Sequence, residues 1–484
     1  MLNDEKKGVL VTLKGNGKTF ENVKGELLFP ADYEGPVHIE LTIPPQQLDV
    51  IMELQDADVI SVEAVCSGVT YISQNAYMGK STISDSIYTE NKATISAYDV
   101  KKTVSLPGKG KNHFNITFWL NNDAELPYGN YIEKHFDGSV KAKKCNENIS
   151  VYTLSDKFTL MFKHIYQYKN NGGGYTAYRH NACEVIIDKR ITDETIIKKI
   201  ITKLEDFLLL VSFGYDNRIS WIGYEYLDKN NYYEFYRGKF KSSRVKNRPF
   251  ELSQNGFFIK DFVLAAYTKL TNNRIRYEAI KRAIYALCND QDMGIIDSKF
   301  LELFSAFEAI LLSYNRNSHS EQLLSSNKFK NLGKAIEKTI SDYFVLNSLD
   351  FSVKEQVIEK ISELNRPSLQ NTLQRFQKEY DLPLELFWPF FAKTKPGLSD
   401  IRNKMIHGDY LYGKYDYLDF ARHQLRVILI ITIVKVLDWP LDKTRYTEDS
   451  IKRLCSYYPN ILKTAQDNWK HNKIKENTDI AKIK

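Results

Sequence analysis

At about residue 257 the hydrophobic period of this 484-residue chain changes, and that change constrains the fold more than any other feature. Before it, short runs rich in β-branched and aromatic residues (GVLVTL, VHIELTI, SVEAVCSGVTYIS, ATISAYDV, FNITFWL) are separated by Gly, Asn and Pro. They read as strands of an antiparallel sheet, sandwich-like or barrel-like. After it, FFIKDFVLAAYTKL, RYEAIKRAIYALC, SKFLELFSAFEAILLSY, KNLGKAIEKTISDYF, VKEQVIEKISELN and SLQNTLQRFQKEY carry apolar residues at i, i+3 and i+4. Side chains alternate across a strand but recur every 3.6 residues on a helix, so one element cannot serve both periods. The chain therefore reads as an α+β multidomain protein, β-rich first and all-α second.

Four regions follow. Residues 1–145 form a β-rich N-terminal part, and 146–256 a mixed continuation that completes its sheet. Within the latter, Ile196, Ile197, Ile200, Ile201, Leu204, Phe207, Leu208 and Val211 repeat at helical spacing, and RISWIGYEYL with YYEFYRGKF reads as a hairpin. Residues 257–440 form the all-α domain. The β-branched run VILIITIV is taken as buried helix because Leu418, Arg422 and Leu425 continue into it. Residues 441–484 form a helical tail.

Sixty-seven Lys and Arg against 60 Asp and Glu give a net charge of +7, which permits nucleic-acid binding without demanding it. No arginine precedes Arg179. Guanidinium chemistry toward phosphate is therefore to be sought in the later part. Five scattered cysteines without a CxxC pair suggest neither a zinc ribbon nor a disulfide framework, and no cofactor is expected. The charged N-terminus lacks a signal-peptide core, and the apolar run Val427–Val434 is too short to span a bilayer. A cytoplasmic protein without a membrane partner is expected.

One segment of the helical part concentrates chemistry: KPGLSDIRNKMIHGDYLYGKYDYLDF, residues 395–420. Pro396 and Gly397 break the preceding structure, and Ser399 or Asp400 can cap a new helix whose buried side is Ile401, Met405 and Leu398. Gly408 suits its C-terminal end. Arg402 and His407, five apart, are separated by about 140° and about 7.5 Å of rise, whereas Asn403 and His407 share a face. Arg402, Asn403 and His407 thus make a polar strip on an otherwise apolar helix.

In this setting the string RNKMIHG resembles the R-x4-6-H motif of the HEPN superfamily of nucleases, in which a polar residue commonly follows the arginine. Arg402, Asn403 and His407 match it position by position, and FLELFSAFEAILLSY, about 100 residues upstream, is similar to the opening helix of such bundles. A β-rich part followed by this bundle resembles the ApeA-like abortive-infection proteins of bacterial anti-phage defence. The resemblance implies Arg402, His407 and Asn403 as catalytic residues and dimerisation of two bundles, so that two motifs meet.

These residue types suit RNA. The 2′-OH beside the scissile phosphate is a built-in nucleophile, so the enzyme need only move protons and stabilise a crowded phosphorane. Histidine does the first near neutral pH and arginine the second. No metal is needed. Near a helix C-terminus the dipole favours a cation, which suits His407 to the general-acid role. The expected products carry 2′,3′-cyclic phosphate and 5′-OH ends, with transfer RNA one candidate substrate because its loops are single-stranded.

Lys404 and Tyr410 are weaker candidates for substrate contact, and Glu308 could orient Arg402. For each a plain solvated or packing role is at least as common. The same holds for Tyr412, Tyr415 and Tyr417, for the basic run Arg237–Arg248, and for His423. The expected partners are RNA, a second copy of the chain and a phage-derived trigger protein sensed by the β part. The alternative is a non-catalytic HEPN scaffold for dimerisation or RNA binding that senses a phage or host protein.

Overall fold

The computed structural model describes residues 7–463 apart from 31–34, 83–89, 107–114, 122–131, 135–139, 143–150, 156–157, 171–174, 188–193, 229, 239–258, 273, 291–293, 393–395, 408–414, 457–459 and 462. The chain divides into two compact units. One comprises residues 1–208 and 219–247, the other residues 209–218 and 248–484.

The first unit begins with β1 (Lys7–Gly15), β2 (Lys18–Leu28), β3 (Val37–Ile43), α1 (Leu48–Gln55), β4 (Ile60–Cys66), β5 (Val69–Thr82), β6 (Asn91–Tyr98) and β7 (Val100–Ser105). Two tight hairpins are written in the sequence. Asn16-Gly17 and Ser67-Gly68 both hold positive φ at each residue, the turn whose twist matches paired strands. Alternation then sets the faces: Val37, Ile39, Leu41 and Ile43 of β3 are buried while the residues between them are not. Strands run β4-β1-β2-β3-β6, and β5 pairs with both β4 and β6, closing a six-stranded antiparallel barrel. Ile51 and Leu54 of α1 join its core.

Of the sandwich-like and barrel-like forms expected, this part takes the barrel, and its sheet continues beyond β5. β5 pairs with β6 through its second half and with β7 through its first. Asp99, at φ 52°, breaks what would otherwise be one strand, and Asn75 Nδ2 donates to its carboxylate at 3.1 Å. From β7 the sheet continues through β15 (Asn231–Tyr236), β14 (Trp221–Leu227), β8 (Asn115–Leu120), β13 (Tyr175–Ile187) and β12 (Phe158–Asn170) to β11 (Val151–Ser155). A separate hairpin pairs β9 (Ile132–Lys134) with β10 (Val140–Ala142). Helix α2 (Glu194–Tyr215) lays Phe207 on Phe162 and Tyr152, with ring centroids 5.6 and 4.8 Å apart. The strands before and after residue 145 therefore belong to one connected sheet.

The second unit holds α3 (Ile259–Asn272), α4 (Arg274–Asn289), α5 (Ile296–Asn317), α6 (Ser326–Leu346), α7 (Phe351–Glu359), α8 (Leu369–Tyr380), α9 (Leu398–Ile406), α10 (Tyr415–Val436) and α11 (Glu448–Ser456). At its centre α5 buries Phe300, Leu303, Phe304, Phe307, Ile310 and Leu311. Helix α10 carries the VILIITIV run, all of it buried. A helix that is apolar all round is one surrounded by protein, and this overrides the strand propensity of its β-branched residues. Polar pins fix its rotation. Arg422 Nη1 donates to both Asp290 carboxylate oxygens at 2.6 Å, and Arg426 reaches the Leu287 carbonyl at 2.8 Å as well as Asp216. Among the described residues, no helix is long and apolar enough to cross a membrane.

Candidate active site

Helix α9 is short, nine residues, so its neighbours must place it. Its start lies earlier than Ser399 or Asp400: the N-cap is Gly397, and the Asp400 carboxylate accepts from the Gly397 N–H at 2.9 Å. The segment before it acts as a clasp. Leu398 N donates to Pro389 O and Ser399 N to Phe390 O, both at 3.0 Å, and the Ser399 hydroxyl reaches Phe390 O at 2.8 Å. Trp388 Nε1 donates to Pro396 O at 2.8 Å, while its N–H donates to buried Gln424 on α10. The Phe390 ring stacks on Phe307 of α5, centroids 4.7 Å apart. Gly397 is required here because a Cβ would lie 2.7 Å from Phe390 O and 2.9 Å from Ala392 N. Leu398 and Ile401 are fully buried.

This clasp delivers Arg402 to α5. Its guanidinium lies 3.4 Å from the Glu308 carboxylate and 5.9 Å from the centroid of the Phe304 ring. Phe304 and Glu308 are four apart, hence neighbours on one face of α5. Arg402 Nη1 also donates to Asn403 Oδ1 at 3.0 Å. The guanidinium fork is thus held by a carboxylate, an amide oxygen and an aromatic face, yet about a third of the side chain stays open to solvent.

His407 is the C-cap of α9, and its N–H continues the helical ladder to Asn403 O at 3.1 Å. It is exposed, as is Asn403; Lys404 is half-buried. The structure thus brings Arg402, Asn403 and Glu308 into contact and leaves His407 on the same helix one turn and more beyond. One turn past Glu308 stands Leu312, and one turn past Arg402 stands Ile406, respectively 55% and 52% exposed. Two clefts in this unit, of about 780 and 590 Å3, include none of these residues in their walls.

Of the weaker candidates, Tyr410 and Tyr412 lie outside the described residues, as do Gly408 and the basic residues from Lys239 to Arg248. Tyr417 belongs to the first turn of α10. It is buried beside Trp388, and burial pushes its hydroxyl pKa up, so it is a packing residue. Arg237 lies over Trp221, 4.2 Å from the ring centroid, and 3.6 Å from Glu205. His423 is exposed on α10. Sequence reasoning missed the clasp. Only the Pro-Gly break and the aromatic density of FWPFF hinted at it.

No protein-family model and no curated protein sequence matches the chain. Among solved structures, the crystal structure of YcgR in complex with c-di-GMP from Escherichia coli is aligned over 41% of this chain and 84% of that one. The identity is 14% and the TM-score 0.13, a superposition too poor to carry an argument. The HEPN resemblance accordingly stands on Arg402, Asn403 and His407 and their helical setting.

Proposed function

We propose that this protein is a metal-independent endoribonuclease of the HEPN type, acting in anti-phage defence by abortive infection. The observation that carries the reading is that one nine-residue helix carries a clasped, partly open Arg402 and ends in an exposed His407 at its C-cap. The 2′-oxygen attacks phosphorus, its proton passes to a base, and the 5′-oxygen leaves with a proton from an acid. Arg402, oriented by Glu308 and Asn403, stabilises the added negative charge on the phosphorane. One chain supplies one motif histidine, so acid and base come from two copies whose motif faces meet. The exposed Leu312 and Ile406 beside Arg402 are apolar surface suited to such a meeting.

The test is cleavage of transfer RNA and total RNA by the purified chain in EDTA, with mapping of product ends. Expected are 2′,3′-cyclic phosphate and 5′-OH ends, lost on His407→Ala by a factor of about 10² or more. Products with 5′-phosphates that vanish in EDTA would overturn the mechanism. A scaffold reading has one observation in its favour: the Arg402–Glu308 pair also fastens α9 to α5 without any chemistry. On that reading His407→Ala changes nothing.

A further inference from the structure

The smaller cleft of the helical unit, about 590 Å3, lies between α8 and the connection from α5 to α6. Helix α8 lines it with Asn371, Gln374, Arg375 and Lys378, spaced i, i+3, i+4 and i+7 and so on one side of the helix. The connection adds Gln322 and Leu323. Two buried asparagines, each 6% exposed, hold this shape. Asn315, near the end of α5, donates through Nδ2 to Thr372 Oγ1 at 2.8 Å and accepts from Arg375 Nη2 through Oδ1 at 2.8 Å. Its backbone carbonyl accepts from Ser320 N at 3.0 Å. Asn365 accepts from Leu324 N through Oδ1 at 2.8 Å and donates through Nδ2 to Leu324 O at 3.0 Å, and its carbonyl accepts from Leu323 N at 2.8 Å. A buried amide is costly unless bonded, so each asparagine fixes the course of the chain that satisfies it. The lining of the cleft is therefore in place before any ligand arrives, which lowers the cost of binding one.

The chemistry of that lining selects the ligand. Arg375 and Lys378 bring two positive charges, and among the described residues no carboxylate lines the cleft. The acidic side chains nearest in sequence are engaged elsewhere: Glu379 accepts from the Tyr314 hydroxyl at 2.6 Å, and Glu321 pairs with Arg316 at 3.3 Å. The adjoining cleft of about 780 Å3, across Gln374 and Lys378, is instead edged by Asp381, Glu385, Asp442 and Glu448, which would repel an anion. Arg375 is exposed and spends one donor on Asn315, which leaves most of its fork for an anion. The amides of Gln322, Asn371 and Gln374 both donate and accept, as the edge of a nucleobase requires. Leu323, 59% exposed, and Pro367 supply apolar surface for the face of a ring. The volume is that of a small-molecule site, typically about 300–1,000 Å3. We infer that this cleft binds a phosphorylated nucleoside, its phosphate on Arg375 and Lys378 and its base against Leu323 and Pro367. A free nucleotide and one residue of a single-stranded RNA offer the same group.

The cleft shares no residue with Arg402, Asn403, His407 or Glu308, and the inference does not rest on the nuclease reading. The test is calorimetric titration of the full chain with the four nucleoside monophosphates, adenosine, inorganic phosphate and a single-stranded 2′-O-methyl RNA oligomer, which cannot be cut through its 2′-oxygens. The wild type is compared with Arg375→Ala, Lys378→Glu, Gln374→Ala and, as a control for charge alone, Lys330→Glu on α6, which lies outside the lining. Expected is binding of a monophosphate or of the oligomer, tighter than that of adenosine or phosphate, weakened about 10-fold or more by Arg375→Ala and Lys378→Glu and unchanged by Lys330→Glu. Binding of a monophosphate names a free nucleotide as the ligand, and binding of the oligomer alone names an RNA strand. Absence of both overturns the inference. So does inorganic phosphate that binds as tightly as the nucleotides, or a loss in Lys330→Glu equal to that in the cleft variants. Circular dichroism checks the fold of each variant. Should Arg375→Ala misfold for want of its bond to Asn315, the exposed positions Lys378 and Gln374 decide: weaker binding in both supports the site, and unchanged binding in both rejects it.

Discussion

The Arg402 guanidinium sits 3.4 Å from the Glu308 carboxylate, a contact between residues 94 apart in sequence that links α9 to α5. Neither side chain is deeply buried, so the pair contributes little to stability, about 1 kcal/mol or less. Its consequence is orientation. Glu308→Ala is expected to leave the melting temperature nearly unchanged while lowering RNA cleavage about 10- to 100-fold, since a guanidinium free to swing loses its register with the phosphate. Unchanged cleavage in a folded Glu308→Ala would show that Arg402 needs no such holder.

Gly397 has no room for a methyl group. Gly397→Ala would press a Cβ against the backbone of Phe390 and Ala392, which cannot rotate away as a flexible side chain could. A loss of about 1–3 kcal/mol is expected. Because the clasp places α9, cleavage should fall further than stability alone dictates. Thermal melts alongside activity at a temperature where the variant is fully folded separate the two effects.

Asp290 anchors Arg422 and Arg426 of α10 in a nearly dry environment. Asp290→Ala removes the carboxylate that Arg422 and Arg426 share, leaving Asp419 to the first and Asp216 to the second, and removal of one partner from such a buried network costs up to about 3–5 kcal/mol. A fall in the melting temperature of the helical unit on the order of 10 °C is expected. A much smaller change would mean that Asp419 and Asp216 suffice to hold the two arginines.

Glu184 on β13 is buried against its charge, but Lys163 at 2.8 Å and a hydrogen bond from Asn115 outweigh that and hold its carboxyl below the usual range. A depressed folded-state pKa stabilises the protein above the unfolded value of about 4.3, and the contribution disappears as pH falls through the folded value. The contribution of Glu184 should therefore be fully present near neutral pH and be lost on acidification, which acid unfolding of the chain reads out. Glu184→Gln should be less stable at neutral pH and lose less on acidification. Parallel acid titrations of wild type and variant check the sign.

Much of this was legible locally. Asn16-Gly17 and Ser67-Gly68 declare their hairpins because few residues tolerate two positive φ angles in succession. The 3.6-residue stripe of α5 declares its buried face. The Arg402-Asn403-x3-His407 string could be found by reading along one helix, because its members are separated by a single turn or so.

What the sequence by itself determined is therefore the kind of each element and which of its faces seeks burial, since both follow from spacing along a few residues. Only the tertiary structure decided what those faces meet. It closed β5 onto both β4 and β6, turning a sheet into a barrel. It set Glu308 beside Arg402, and it placed Gly397 where backbone alone fits. It also left Leu332, Tyr343 and Leu346 uncovered although their spacing resembles that of packed positions. The physical reason is the same throughout. Periodicity is a property of one segment, whereas pairing, clasping and exposure depend on distances between segments that the chain brings together only on folding.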